Sequence, residues 1–171
     1  RVSQMKVGDG LEEGTDLGPL INPEASDKVQ EHIKDAVDNG AEIILGNAKD
    51  DMGGNFFGPT IVTGVTQDMK VAKEETFGPL APLFKFEDVD DVIAMANDTI
   101  FGLASYFYAK DLSRVYKVAE ALEYGIVGVN TGIISTELAP FGGVKQSGLG
   151  REGSHHGIED YLEMKYVCLS V

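Results

Sequence analysis

The strongest constraint on the fold is the alternation of apolar, strand-like segments with amphipathic, helix-like segments. Residues 103–109 (LASYFYA) form an apolar run, residues 111–122 repeat apolar side chains at three- and four-residue spacing, and residues 126–130 (IVGVN) are apolar again. A strand, a helix and a strand joined by short connections are typical of a sheet with helices packed on its faces. The sequence therefore predicts an α/β fold in which a layered sheet is flanked by helices.

The N-terminal half extends the same pattern. Asn22 before Pro23, and Gly40 at the other end, are the residue types that begin and end helices, so we predict a helix over 23–39. Pro82 lacks a backbone N–H, so we expect that end of its strand to be a sheet edge or an irregular start. We also predict strands at 41–45, in most of 56–65 and at 79–86, a loop at 47–55, a helix at 87–98 and a strand-like tail at 161–171.

Charge and length exclude several classes of protein. The 171 residues carry 14 Lys and Arg against 28 Asp and Glu, a formal charge of −14 on about one domain. No basic stripe is available for a phosphate backbone, so we expect no nucleic acid and no anionic membrane as partner. No apolar run approaches the roughly 20 residues of a membrane span, and the start lacks a signal peptide, so the composition fits the cytoplasm or an organelle matrix, and we expect a cytoplasmic protein. Because the first Met is Met5, we also expect a piece of a longer polypeptide.

Few residues suit nucleophilic or metal chemistry. Cys168 lies in an apolar run with no base nearby, and we interpret it as structural. We place His32 on the polar side of the first helix, and the adjacent His155 and His156 are poorly spaced to share a metal. We therefore predict no metal site and no catalytic residue in this chain. Residues 148–153 match GxGxxG, but without a convincing strand before them we interpret them as a wide turn in a glycine-rich segment, 140–157.

Two loops carry candidate binding residues, and the pattern leaves two interpretations of each. In KEETFGP, Glu74 and Glu75 are either solvated loop acids, or a carboxylate there accepts hydrogen bonds from a diol such as a ribose while Phe77 lies against a flat ring. Ser135 follows the 126–130 strand, where ligands bind in α/β sheets, and Phe141 comes soon after. Ser135 either donates to a substrate anion or closes a local turn through its own hydroxyl.

Several motifs in order resemble a known family. The segments KEETFGPLAPLFKF, NDTIFGLASYFYAKD and VGVNTGIISTELAPFGGVKQSGLGREGSHHGIEDYLEMKYV are similar to the C-terminal part of the aldehyde dehydrogenase superfamily, and VGDGLEEGTDLGPLIN fits the same family. The resemblance covers essentially the whole chain. GIIS ahead of APFGGVKQSGLGREGS, with the ending IEDYLEMKYVCL, most resembles the succinate-semialdehyde dehydrogenases.

The resemblance implies a mechanism and roles for particular residues. A cysteine thiolate attacks a small aldehyde, the thiohemiacetal passes hydride to NAD or NADP, and water releases the acid. Glu75 matches the glutamate that binds the nicotinamide ribose, Phe77 the aromatic beside the nicotinamide, Ser135 the serine at the substrate's distal carboxylate, and Phe141 a wall of the substrate pocket.

The resemblance also implies a division of the chain and an assembly. Residues 1–158 would be the C-terminal part of the catalytic domain, and 159–171 an oligomerisation strand that joins a neighbouring subunit in a homo-oligomer, a dimer or tetramer. The family's nucleophilic cysteine, its general base and most of its cofactor site would lie before Arg1, so we expect this chain alone to be inactive. Two alternatives remain open: an enzyme for another aldehyde, such as glutarate semialdehyde or an aliphatic one, and a non-catalytic assembly or binding domain.

Overall fold

A computed structural model of the chain describes residues 1–46 and 53–171, so most of the loop predicted at 47–55 lies outside the described residues. The chain divides into two compact units, Arg1–Phe86 and Glu87–Val171. In the part of the chain that the structure describes, no helix combines the length and apolar character needed to cross a membrane.

The first unit packs a long helix against a three-stranded sheet. The central strand pairs antiparallel with one neighbour and parallel with the other. Pro82 lies in the outer, parallel strand, so its predicted edge position is confirmed. The elements are α1 (Pro23–Asp38), β1 (Glu42–Leu45), β2 (Thr60–Thr63), α2 (Lys70–Lys73) and β3 (Leu80–Pro82), with β2 at the centre of the sheet.

Local signals define the ends of α1. The Asn22 side chain accepts a hydrogen bond from the Ala25 amide at 2.9 Å, and Pro23 occupies the first turn, where a missing N–H costs nothing. Gly40 follows the helix with a positive φ of 97°, a conformation that glycine adopts without a Cβ clash. The predicted helix over 23–39 is confirmed to within one residue.

The buried face of α1 includes one residue that the sequence analysis placed wrongly. His32 is 0% exposed, on the same face as Val29, Ile33 and Ala36. These positions follow the i, i+3, i+4, i+7 spacing of one helix face. The prediction that His32 lies on the polar side is therefore wrong, because hydrogen bonds from Thr76 and to Glu74 satisfy the ring nitrogens and allow the side chain to be buried. The buried apolar side chains of this unit are Val29, Ile33, Ala36, Ala41, Phe57, Val62, Val65 and Met69.

The second unit confirms the strand, helix and strand predicted over 103–130. Two parallel strands pair from Ala104 opposite Ile126 to Phe107 opposite Val129, with a helix as the crossover. The continuous apolar run at 103–109 predicts a buried strand, but the sheet has two strands among the described residues, so this strand is only partly buried and Tyr106 is 48% exposed. The elements are α3 (Val89–Asn97), β4 (Ala104–Phe107), α4 (Leu112–Ala121) and β5 (Ile126–Val129).

After β5 the second unit has little regular structure. Two short 3₁₀ helices, Lys145–Ser147 and His156–Tyr161, are the regular elements in residues 130–171. Residues 162–171 are exposed and form no strand with any described residue of this chain, and Cys168 is exposed among them rather than packed. The division into 1–158 and 159–171 stays a prediction, since it concerns pairing with another chain.

Candidate functional site

In the first unit, residues 74–78, here called the 74–78 segment, run from the end of α2 toward β3. The backbone is extended at Glu74, with φ −110° and ψ 141°, and it closes a three-residue turn around Phe77, where the Gly78 amide donates to the Thr76 carbonyl at 3.0 Å. Glu74, Thr76 and Gly78 contact α1, although Glu74 keeps half of its side chain exposed, whereas Glu75 and Phe77 are exposed and make no such contact. The segment thus has a helix-facing set and an outward-facing set.

His32 binds two residues of the helix-facing set. Since the Glu74 carboxylate only accepts, His32 Nε2 donates to its Oε2 at 3.4 Å. In the neutral ring, Nδ1 then accepts from the Thr76 hydroxyl at 2.5 Å. Both ring nitrogens of a fully buried histidine are therefore used to hold one segment, 42 and 44 residues further along the chain.

Gly78 completes the helix-facing set by a close approach to α1. A Cβ built on Gly78 would lie 2.4 Å from Cγ2 of Val29, which is too close for two carbon atoms. Any larger residue at position 78 would push the segment away from the helix or displace Val29 in the core.

The start of the connection is attached to the same helix. The Lys70 amide donates to Asp35 Oδ2 at 2.8 Å, and the Lys70 ammonium donates to the Glu31 carboxylate. The hydrogen bond from Lys70 lowers the pKa of the Glu31 carboxyl, and the same bond raises the pKa of Lys70. The chain from α2 through residue 78 is consequently fixed to α1 at both ends.

The outward-facing set is available to a ligand. Glu75 has no hydrogen-bond or ion-pair partner among residues 1–46 and 53–171, and Phe77 is 80% exposed. A carboxylate can accept from two neighbouring hydroxyls, and an aromatic face can cover a planar ring. Phe77 borders an open hollow of about 380 Å³, which is lined by Leu17, Gly18, Pro19, Leu20, Phe57, Phe77, Gly78 and Pro79.

The second unit has its own open hollow, of about 480 Å³, around the other two predicted residues. Phe141 and Glu152 exchange backbone hydrogen bonds of 2.8 and 2.7 Å as an antiparallel bridge, and the Ser154 amide donates to the Glu137 carbonyl at 2.8 Å. Ser135 is exposed and Phe141 half-buried. The lining residues are Ser135, Thr136, Glu137, Phe141, Glu152 and Gly153, so the two predicted residues share one concave surface.

The hydroxyl of Ser135 is not used to close its loop. The Thr131 hydroxyl takes part in a local turn with the backbone of Ile133, and the Leu138 amide donates to the Thr136 hydroxyl at 3.3 Å. Neighbouring threonines thus make the turn contacts that were the alternative interpretation of Ser135. Within the described ranges, the Ser135 hydroxyl has no partner and can donate to a ligand.

The charge around this hollow is negative. Among the described residues, the ionisable ones that line it are Glu137 and Glu152, and both are acids. Arg151 lies nearby in sequence, but its guanidinium donates to the Gly143, Leu149 and Gly150 carbonyls at 2.6, 3.1 and 2.9 Å. An anionic ligand at Ser135 would therefore need positive charge from outside this hollow.

The backbone of the glycine-rich turn at 148–153 binds the carboxylate of Asp160. Asp160 Oδ2 accepts from the Arg151 amide at 2.9 Å, and a Cβ on Gly150 would lie 2.7 Å from the same oxygen. The turn therefore brings its backbone against an acidic side chain of this chain, as the wide-turn interpretation expects. No group of three or more His, Cys, Asp or Glu that could hold a metal occurs among the residues described.

Comparison with known proteins gives a consistent result. The model of the aldehyde dehydrogenase family matches residues 1–167. The chain is 64% identical over 170 residues to the succinate-semialdehyde dehydrogenase [NADP(+)] GabD of Escherichia coli, and 66% identical over 170 residues to a glutarate-semialdehyde dehydrogenase of Pseudomonas putida. Each match covers 99% of this chain and 35% of the relative, so the chain spans about a third of the length of these relatives.

A solved structure agrees with the sequence relatives. The crystal structure of an E. coli NADP-dependent enzyme superposes with a TM-score of 0.96 at 64% identity. The match covers 99% of this chain and 35% of that chain. The α/β architecture predicted from the sequence is therefore confirmed by a solved relative.

Proposed function

The chain belongs to the aldehyde dehydrogenase family, and we propose that it is the C-terminal part of an NAD(P)-dependent enzyme that oxidises succinate semialdehyde to succinate. In the complete enzyme, meaning this chain joined to the segments that its relatives have in addition, it supplies part of the cofactor site and part of the substrate site. The observation that carries this proposal is the pair of outward-facing residues, Glu75 and Phe77, on a segment fixed to α1.

The outward-facing set fits a nicotinamide cofactor, which supplies the hydride acceptor of the reaction. The Glu75 carboxylate would accept hydrogen bonds from the two hydroxyls of the nicotinamide ribose, and Phe77 would lie beside the nicotinamide. Two supports are the absence of a competing partner for Glu75 in the described residues and the large exposed face of Phe77. Most of the cofactor site would lie outside this chain.

Ser135 and Phe141 fit one end of the substrate. The Ser135 hydroxyl would donate to the distal carboxylate of succinate semialdehyde, and Phe141 would form a wall of the pocket. Their common position on one hollow supports this assignment. Because Glu137 and Glu152 repel an anion there, the cations that balance the substrate carboxylate must come from the rest of the complete enzyme.

Glutarate semialdehyde is a second candidate substrate. A relative named for that aldehyde is 66% identical to this chain, as similar as the relative named for succinate semialdehyde. Both compounds are aldehydes with a carboxylate at the far end, so a serine that donates to the carboxylate suits either. The shared chemistry is a short aldehyde that carries a distal acid group.

The exposed C-terminal tail supports assembly into a homo-oligomer. Leu162, Met164, Tyr166 and Leu169 are all exposed, and an uncovered apolar segment in extended form is suited to pairing with another sheet. In the complete enzyme, the part of the predicted 159–171 strand that follows the 3₁₀ helix His156–Tyr161 would join the sheet of a neighbouring subunit. Removal of residues 162–171 from the complete enzyme should reduce the mass of its oligomer, measured by light scattering, to that of an assembly with fewer subunits. An unchanged number of subunits would contradict this role.

The cofactor assignment is tested with Glu75→Gln and Phe77→Ala in the complete enzyme, with Glu13→Gln as the control at another exposed acid. A hydrogen bond to a charged group contributes about 1.5–3 kcal/mol, so Glu75→Gln should weaken NAD(P)H binding at least tenfold, measured by fluorescence titration. Glu13→Gln should leave binding unchanged. Equal binding by Glu75→Gln and the parent would contradict the assignment. Failure of the parent to form NAD(P)H with any aldehyde would favour a non-catalytic domain.

The substrate assignment is tested by Ser135→Ala with three aldehydes. The KM should rise about tenfold for succinate and glutarate semialdehydes and change little for uncharged butanal, because only the first two have a carboxylate to bind. The ratio of kcat/KM for the two semialdehydes identifies the preferred length. An equal rise for butanal would remove the carboxylate role of Ser135.

A further inference from the structure

His32 has an environment unlike that of an ordinary surface histidine. The side chain is fully buried, and both ring nitrogens contact residues of the 74–78 segment. The ring itself has no solvent exposure, so it takes its hydrogen bonds from Glu74 and Thr76 rather than from bulk water. The position of the 74–78 segment depends in turn on His32, because the same two hydrogen bonds attach the segment to α1.

The two contacts fix the rotation of the segment about its own axis. If a single hydrogen bond attached the segment to α1, the segment could still rotate about that bond. Here Glu74 and Thr76 are held by one ring, and Gly78 touches Val29 one turn earlier on α1. The alternate positions 74, 76 and 78 are therefore held against α1, and the two residues between them, Glu75 and Phe77, are both exposed.

We infer that His32 is a positioning residue for the cofactor site. It holds Thr76 and Glu74 so that Glu75 and Phe77 are presented together on the opposite side of the segment. The inference rests on the proposed function of Glu75 and Phe77. His32 itself does not touch the ligand, so it acts through the orientation of the segment and not through the reaction.

The test compares Thr76→Val with Thr76→Ser in the complete enzyme. Valine keeps the shape of threonine without the hydroxyl, whereas serine keeps the hydroxyl that His32 needs. Thr76→Val should weaken NAD(P)H binding about tenfold, and Thr76→Ser should stay within about twofold of the parent. At saturating cofactor, the KM for butanal should be the same in both, which a general loss of structure would not give. Hydrogen exchange of the amides in the 74–78 segment should accelerate in Thr76→Val and not in Thr76→Ser.

Comparison with Glu75→Gln distinguishes failure of the positioning role of His32 from failure of the proposed function of the 74–78 segment. If Glu75→Gln weakens cofactor binding and Thr76→Val does not, or if Thr76→Val and Thr76→Ser weaken it equally, the positioning role of His32 is refuted. If Glu75→Gln has no effect on binding, the proposed function of the segment fails instead. Should Thr76→Val not fold, Glu74→Ala removes the longer and more exposed contact. We expect about threefold weaker binding for that variant, and unchanged binding would overturn the inference.

Discussion

The close approach of Gly78 to α1 gives a prediction whose sign can be worked out atom by atom. In Gly78→Ala, the new Cβ meets Val29 Cγ2 at 2.4 Å, while the next neighbour, Leu20 Cδ2, is at an ordinary 3.6 Å. Val29 is buried and β-branched, so its side chain has little freedom to rotate away. Overpacking of this kind costs about 1–3 kcal/mol, and Ala recovers about 0.4–1 kcal/mol by restricting the unfolded chain. The net loss of stability should be about 1–2 kcal/mol.

The same substitution should behave differently once Val29 is shortened. Val29→Ala alone should cost about 2–3 kcal/mol, since it removes two buried methyl groups and leaves a small cavity. In that variant the clashing atom is gone, so Gly78→Ala fills part of the cavity and should be neutral or stabilising. The two effects should thus be coupled by about 2 kcal/mol, far above the error of a double-mutant cycle.

Urea unfolding of the parent, the two single variants and the double variant, followed by circular dichroism, measures the coupling. Gly10→Ala is the matched control, because no atom lies within 4 Å of its added Cβ. That variant should change stability by less than about 0.5 kcal/mol. Additive effects of Gly78→Ala and Val29→Ala would show that the segment does not pack on α1 as described.

Two further predictions concern the second unit. The Lys145 ammonium donates to the Asn97 and Thr99 carbonyls at 3.0 and 3.3 Å and pairs with Glu123 at 2.7 Å. Lys145→Met should therefore lower the free energy of unfolding, measured in urea, by about 1–3 kcal/mol. An unchanged free energy of unfolding would contradict these contacts. Burial raises the pKa of Tyr124, opposed by Lys145 and assisted by Glu123. Its pKa in the folded state thus exceeds that in the unfolded state, so its contribution to stability is present below about pH 10 and is lost as the pH rises further. Tyr124→Phe should make stability less sensitive to alkaline pH, whereas the exposed Tyr116→Phe should keep the slope of the parent.

Elements defined by neighbouring residues could be predicted from the sequence. The ends of α1 follow from Asn22, Pro23 and Gly40, and the edge position of β3 follows from Pro82, because each effect acts within one turn or one strand. The predicted strand at 79–86 was too long: β3 ends at Pro82, and only the Leu83 amide beyond it still donates to β2. Strand length depends on the partner strand, which local propensity does not specify.

The contact that organises the candidate site could not be found in the same way. His32 and Thr76 are 44 residues apart, and no local pattern relates them. The burial of His32 could have been predicted from its spacing to Val29 and Ile33, which repeats that of an apolar face. A buried imidazole requires hydrogen-bond partners, so its burial implies polar partners, but the sequence does not indicate which residues they are.

In the 74–78 segment, positions that contact α1 alternate with exposed positions that do not, and this alternation limits which substitutions the segment tolerates. Substitutions at positions 75 and 77 change what the surface can recognise, while the attachment to α1 at 74, 76 and 78 is kept. A single inserted or deleted residue has the opposite effect, because the contacts of positions 74 and 76 with His32 and of position 78 with Val29 need this spacing and could not all be kept. The segment therefore tolerates changes of residue type at positions 75 and 77 but not a change of length.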